Sequence, residues 1–111
     1  MNHDQIVAEI QARATQRRGV LSHYCGSALR CSGDRGAPDL LCAGPNGAAW
    51  LEVKTPADRL KPDQTTWMYT LKASGQRHYV IREAQLLDGT VDAILDTLAA
   101  GQAELFRTEA G

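Results

Sequence analysis

An α/β domain, with a mixed sheet flanked by helices on both faces, is the fold this sequence predicts. Three observations lead there. Apolar residues recur at helical spacing near both ends of the chain. Short runs rich in Val, Leu, Ile and Tyr lie between them and are bounded by Gly and Pro. The 111 residues, 43% hydrophobic and 23% charged, suffice for one core and not for two.

In chain order, Ile6, Val7, Ile10 and Ala14 form the apolar stripe of a first helix over Asp4 to Arg18, with Asn2 or Asp4 as its cap and Gly19 as its stop. Val20 to Tyr24 reads as a strand, and Gly26 to Gly36 as a loop or irregular hairpin. Asp39 to Ala43 and Ala48 to Val53 are two strands joined through Gly44-Pro45-Asn46-Gly47, which has hairpin chemistry. A polar loop follows from Thr55 to Lys61. Pro62 then suits the first turn of a helix that turns Trp67, Met68 and Leu71 inward and stops at Gly75. His78 to Ile81 is a short strand. A last helix from about Asp88 carries Val91, Ile94, Leu95 and Leu98 on one side. Residues 1–101 form the domain, and 102–111 an acidic C-terminal tail.

Bulk charge excludes little. Twelve Lys and Arg stand against 13 Asp and Glu, a formal net charge of -1. Residues 1–82 are nonetheless basic, with 11 cations to seven acids, whereas 83–111 hold one cation and six acids. A basic front permits contact with a polyanion without requiring it. No apolar run approaches the length of a membrane span, and the first residues lack a secretion-signal profile, so a membrane or exported protein is not expected. Cys25, Cys31 and Cys42 match no common zinc spacing and read as three reduced cytosolic thiols. No two of His3, His23 and His78 share a helix face at metal-ligand spacing.

The hairpin carries the informative conflict. If its four-residue loop sets the register, Leu41 faces Trp50 and Asp39 faces Glu52, while Leu40, Cys42, Ala49, Leu51 and Val53 occupy the opposite side. Both sides are then built for burial, yet one ends in two opposed carboxylates with Lys54 two residues beyond Glu52. Like charges directly opposed are destabilising, more so when desolvated. Lys54 is one compensator; a divalent cation on hard oxygen ligands, Mg²⁺ or Mn²⁺, is another. Glu9 lies on the border of the first helix's stripe, about 110° from its centre on a helical wheel. Gln64 falls on the inward side of its helix, in the first turn. Each residue also has a plain structural use. Glu9 can pair with Arg13, Gln64 can cap its helix, Asp39 can sit in a turn, and Glu52 with Lys54 can line a wet strand edge.

Together, Pro38-Asp39 followed by Glu52-Val53-Lys54 on the next strand resembles the active-site signature of the PD-(D/E)XK nucleases. The fuller string, Gly36-Ala37-Pro38-Asp39-Leu40, Trp50-Leu51-Glu52-Val53-Lys54-Thr55 and Arg59-Leu60-Lys61-Pro62-Asp63-Gln64, resembles the VRR-NUC (virus-type replication-repair nuclease) family within them. Glu9 is similar to that family's first acidic position, and the likeness runs from about Glu9 to Leu98.

The resemblance implies a restriction-endonuclease-like fold and Mg²⁺- or Mn²⁺-dependent hydrolysis of DNA. Asp39 and Glu52 would be metal ligands, joined by the Val53 main-chain carbonyl, and Glu9 would hold a water on the ion or a second ion. Lys54 would orient the nucleophile or stabilise the transition state, and Gln64 would position Lys54 or the phosphate. Small members are similar to phage and bacterial homodimers that cut branched DNA such as four-way junctions, which implies a cytoplasmic setting. Arg13, Arg17, Arg30, Arg35, Arg59 and Lys61 are candidate contacts to the DNA backbone. The alternative is a non-catalytic nucleic-acid-binding or phage replication-partner module on the same fold.

Overall fold

The computed structural model describes residues 1–26 and 31–101. Helix α1 (His3–Thr15) leads to strand β1 (Leu21–Tyr24), then to the β2 (Leu40–Gly44) and β3 (Gly47–Val53) hairpin. Helix α2 (Pro62–Ala73), strand β4 (Arg77–Ile81) and two further helices, α3 (Glu83–Leu87) and α4 (Thr90–Leu98), complete the order. The four strands form one sheet in the order β1-β2-β3-β4. The first three are antiparallel neighbours, and β3 pairs with β4 in parallel across α2, so the sheet is mixed as predicted.

Register follows the expectation. Leu41 pairs with Trp50 and Leu40 with Leu51, and the ladder continues to Gly44 and Gly47, leaving Pro45-Asn46 as a two-residue turn. The turn is held from outside: the Asn46 backbone N–H donates to Leu98 O at 3.3 Å, and its side-chain amide to Ala99 O at 2.9 Å. Leu40, Cys42, Ala49, Leu51 and Val53 lie on one side of the sheet and are all buried. Against them pack Ile6, Val7, Ile10 and Ala14 of α1, Leu86 of α3, and Val91, Ile94, Leu95 and Leu98 of α4.

The opposite side, which the sequence also builds for burial, is only partly covered. α2 lies over its β4 flank, where Lys72 is close enough to His78 to help lower its pKa. Leu71 alone of that helix is buried; Trp67 and Met68 are half-buried, not inward as predicted. Leu41, Ala43 and Trp50 stay half-buried and Leu21 is 75% exposed, because no described element packs over β1 and β2 on that side.

Three features differ from the sequence reading. α1 stops at Thr15, three residues early, and a turn over residues 16–19 leads to Gly19 at φ +74°. In that turn Arg17 folds back, donating from Nη1 to Arg13 O at 2.8 Å. A helix the sequence reading did not anticipate precedes the last one: Gln85 Oε1 accepts the Arg82 N–H at 2.8 Å and starts α3, and Gly89 at φ +87° separates it from α4. The third concerns sulfur. Cys25 and Cys31 are paired as a disulfide across the β1–β2 connection, with Cα atoms 6.6 Å apart, within disulfide reach. The reading of three reduced thiols is corrected to one, the buried Cys42, whose burial pushes its thiol pKa up to about 11. The predicted acidic tail, 102–111, lies outside the described residues.

Gly36 fixes the approach to β2. Its φ is +92°, and a Cβ there would lie 2.5 Å from the Asp63 carbonyl carbon, inside the first turn of α2. Gly36→Ala should therefore destabilise the fold by more than about 1 kcal/mol, read as a lower midpoint in urea denaturation.

Candidate active site

Asp39 stands one residue before β2, and Glu52 one residue before the end of β3. The regular ladder stops at Leu40 and Leu51, yet Asp39 stays locked to its neighbour. Its Oδ2 accepts the Val53 backbone N–H at 2.8 Å, and its carbonyl accepts the Cys25 N–H at 2.9 Å. Val53 turns its side chain into the core, so Glu52 and Lys54 emerge on the other side. Lys54 lies just past β3, where its N–H donates to Ile81 O at 2.9 Å and prolongs the pairing with β4.

These residues meet in one cleft of about 460 Å³, lined by Asp39, Glu52, Val53, Lys54, Gln64 and the loop residues Ala57, Asp58, Arg59 and Lys61. Glu52 is 3% exposed. Its Oε1 lies 3.7 Å from Lys54 Nζ, and its Oε2 has no hydrogen-bond partner. Burial first, and then the adjacent Asp39 charge, push the Glu52 carboxyl up to about 8, against a lowering influence from Lys54. A buried carboxyl with an orphaned oxygen beside a second acid is costly unless something positive joins it.

The loop above the cleft is pinned rather than free. Asp58 accepts from Thr55 Oγ1 at 2.7 Å, which lowers the Asp58 pKa, and Arg82 Nη1 donates to Thr55 O at 2.6 Å and Asp58 O at 3.0 Å. Gln64 serves as the helix cap weighed for it, its Oε1 accepting the Lys61 N–H at 2.8 Å at the start of α2, and the residue also lines the cleft. Arg59 and Lys61 are exposed at its rim.

Other candidates lie elsewhere. Glu9 does not line the cleft; its Oε1 accepts from Arg13 Nε at 2.9 Å, the i,i+4 pair that its spacing allowed. Arg13 and Arg17 are engaged in clasping α1 to α4, through Asp92 at 3.0 and 2.9 Å and Asp96 at 2.7 Å. Arg35 lines a separate hollow of about 370 Å³ with Asp34, Asp63 and Trp67. Arg30 lies outside the described residues. Sequence reasoning missed two residues. His3 lines the cleft from the first turn of α1, with Nε2 3.3 Å from Asp39 Oδ2, and Arg82 organises the loop. Scattered single residues of this kind carry no spacing signal.

Among the described residues, no group of three or more His, Cys, Asp or Glu is disposed to hold a metal ion. Asp39 and Glu52 nevertheless suit a divalent cation, being hard oxygen donors, mutually repelling, with one buried oxygen unsatisfied. Val53, whose carbonyl the resemblance implies as a third ligand, lines the same cleft.

A mixed sheet whose central strand ends bring two acids and a buried lysine into one cleft defines a restriction-endonuclease-like domain. The VRR-NUC domain profile matches residues 4–85, and the chain belongs to that nuclease-type family. Two solved structures share the fold. One described as a VRR-NUC domain superposes with a TM-score of 0.64 at 22% identity, covering 81% of this chain and 94% of its own. Another, a VRR-NUC domain protein, gives 0.63 at 17%, covering 85% of each. No curated protein matches the chain. No helix among the described residues is long and apolar enough to cross a membrane.

Between the ordinary carboxylate value of 4.5 and about 8, the folded chain holds a proton at Glu52 that the unfolded chain has released, so rising pH withdraws stability through that window. His78, whose pKa is lowered by burial, acts on the acid flank, withdrawing stability as pH falls below 6.5. In chelator, the melting temperature should thus decline from about pH 7 to about pH 8.5, and Glu52→Gln should flatten that decline. An unchanged slope in the variant would assign the dependence to another group.

Proposed function

We propose that the chain is a Mg²⁺- or Mn²⁺-dependent DNA endonuclease acting on branched DNA, four-way junctions among them. The observation that carries this reading is the meeting of Asp39, Glu52 and Lys54 in one cleft, with a carboxylate oxygen left unsatisfied beside a second acid. A divalent ion held by Asp39, Glu52 and the Val53 carbonyl would supply Lewis-acid activation of the phosphodiester and of the attacking water.

The remaining work belongs to the protein's own groups. Lys54, kept in place by its buried stem and by Glu52, offers a fixed positive charge to the negative charge that grows on the phosphate. Gln64 narrows the cleft opposite and helps set Lys54 or the phosphate. Arg59 and Lys61, exposed at the rim, take the flanking DNA backbone, and Arg35 extends that contact past the neighbouring hollow. Glu9 acts at one remove, by orienting Arg13 within the clasp between α1 and α4. The preference for branched DNA rests on the resemblance to small members that cut it. A homodimer suits the partly open sheet side around Leu21, Leu41 and Trp50, an apolar surface a second copy can cover.

Purified protein incubated with linear, flapped and four-way DNA plus Mn²⁺ should cut the branched substrates preferentially. Lys54→Ala should lower the rate by about 100- to 1,000-fold, and Asp39→Asn should abolish it, both with circular dichroism unchanged. Salt-sensitive gel retardation without any product would support the binding-module alternative instead. Millimolar Mg²⁺ should also raise the melting temperature of the unmutated protein and leave that of Asp39→Asn unmoved.

A further inference from the structure

We propose that His3 is a positioning residue of this site, holding Asp39 in the rotamer that presents it to the cation. This inference rests on the metal-dependent reading above. α1 sends one side chain into the cleft, and it is that of His3, not the Glu9 whose spacing had suggested an acid there. The Asn2 cap sets the position: Asn2 Oδ1 accepts the Gln5 N–H at 2.8 Å and Gln5 Oε1 accepts the Asn2 N–H at 2.8 Å, fixing the first turn that carries His3. The imidazole is half-buried, with the Tyr24 ring 6.3 Å away on one side and Asp4 Oδ1 3.6 Å from its Nδ1.

Its Nε2 stands 3.3 Å from Asp39 Oδ2. An ionised carboxylate only accepts, so Nε2 donates. The Val53 N–H donates to the same oxygen at 2.8 Å. Two donors from two different elements, α1 and β3, therefore converge on Oδ2 and fix the plane of the carboxylate, which leaves the other oxygen for an ion shared with Glu52. A backbone donor alone would fix one oxygen and let the group turn about that bond. Groups that orient a ligand in this way typically change metal affinity about 10- to 100-fold when removed.

The test is Mn²⁺ binding to the untagged full chain, followed by the electron paramagnetic resonance signal of free Mn²⁺ and by titration calorimetry. His3→Leu should weaken binding about 10-fold or more while the melting temperature in chelator stays that of the unmutated protein. His3→Gln, whose amide can still donate to Asp39, should recover most of the affinity, and Glu9→Gln should bind as the unmutated protein does. Unchanged affinity in His3→Leu would overturn the proposal, as would a directly coordinated nitrogen in the pulsed resonance spectrum, which would make His3 a ligand. If the unmutated protein binds Mn²⁺ and Asp39→Asn does not, the metal reading survives either result. If the unmutated protein binds none, the metal reading falls and His3 with it.

Discussion

A slip of one residue between β2 and β3 would turn one strand over relative to the other, sending either Leu40 and Cys42 or Leu51 and Val53 out of the core. That penalty fixes the register, and the register is what sets Asp39 beside Glu52. The two acids are thus held together not by any attraction between them but by apolar residues on the opposite side of the same strands. A stable core imposes an unfavourable pair at its edge.

The surroundings offset that conflict unevenly. Asp39 receives donors from Val53 and His3, whereas Glu52 has Lys54 at 3.7 Å and one oxygen without a partner. Charges away from the cleft are treated differently. Glu9, Arg13, Asp92, Arg17 and Asp96 form a chain of close pairs along the outer sides of α1 and α4, each acid met by a guanidinium. Pairing is complete in that network and incomplete in the cleft, where Glu52 keeps one oxygen without a partner.

Much of this was legible in the amino-acid order. The periodicity of Val91, Ile94, Leu95 and Leu98, the register around the hairpin turn and the shared cleft of Asp39, Glu52 and Lys54 all follow from spacing, because helical and strand periods are strict. Glu9 illustrates the limit. Its wheel position put it at the edge of the buried stripe, but whether an edge residue turns to the sheet or along the helix depends on which partner is nearest, and Arg13 one turn away was nearer than the cleft. His3 and Arg82 act through single long-range contacts, which leave no local pattern. Trp67 was expected inside because it is large and apolar. It is instead half-buried, its indole donating to Asp34 O at 3.3 Å, since α2 covers only one flank of the sheet.

Asn46 sits at the end of the sheet farthest from the cleft, and there it joins the hairpin turn to the last turn of α4, while the Ala100 N–H joins that same end to Arg18 O at 2.9 Å. Three segments distant in sequence are thereby riveted at one pole of the molecule, and the opposite pole is left to loops. Thermal opening should in consequence spread from the cleft pole inward, with amide protons near Gly44 and Leu98 among the last to exchange. Such a gradient makes the hairpin turn the firmest end of the sheet and the carboxylate end the first to loosen.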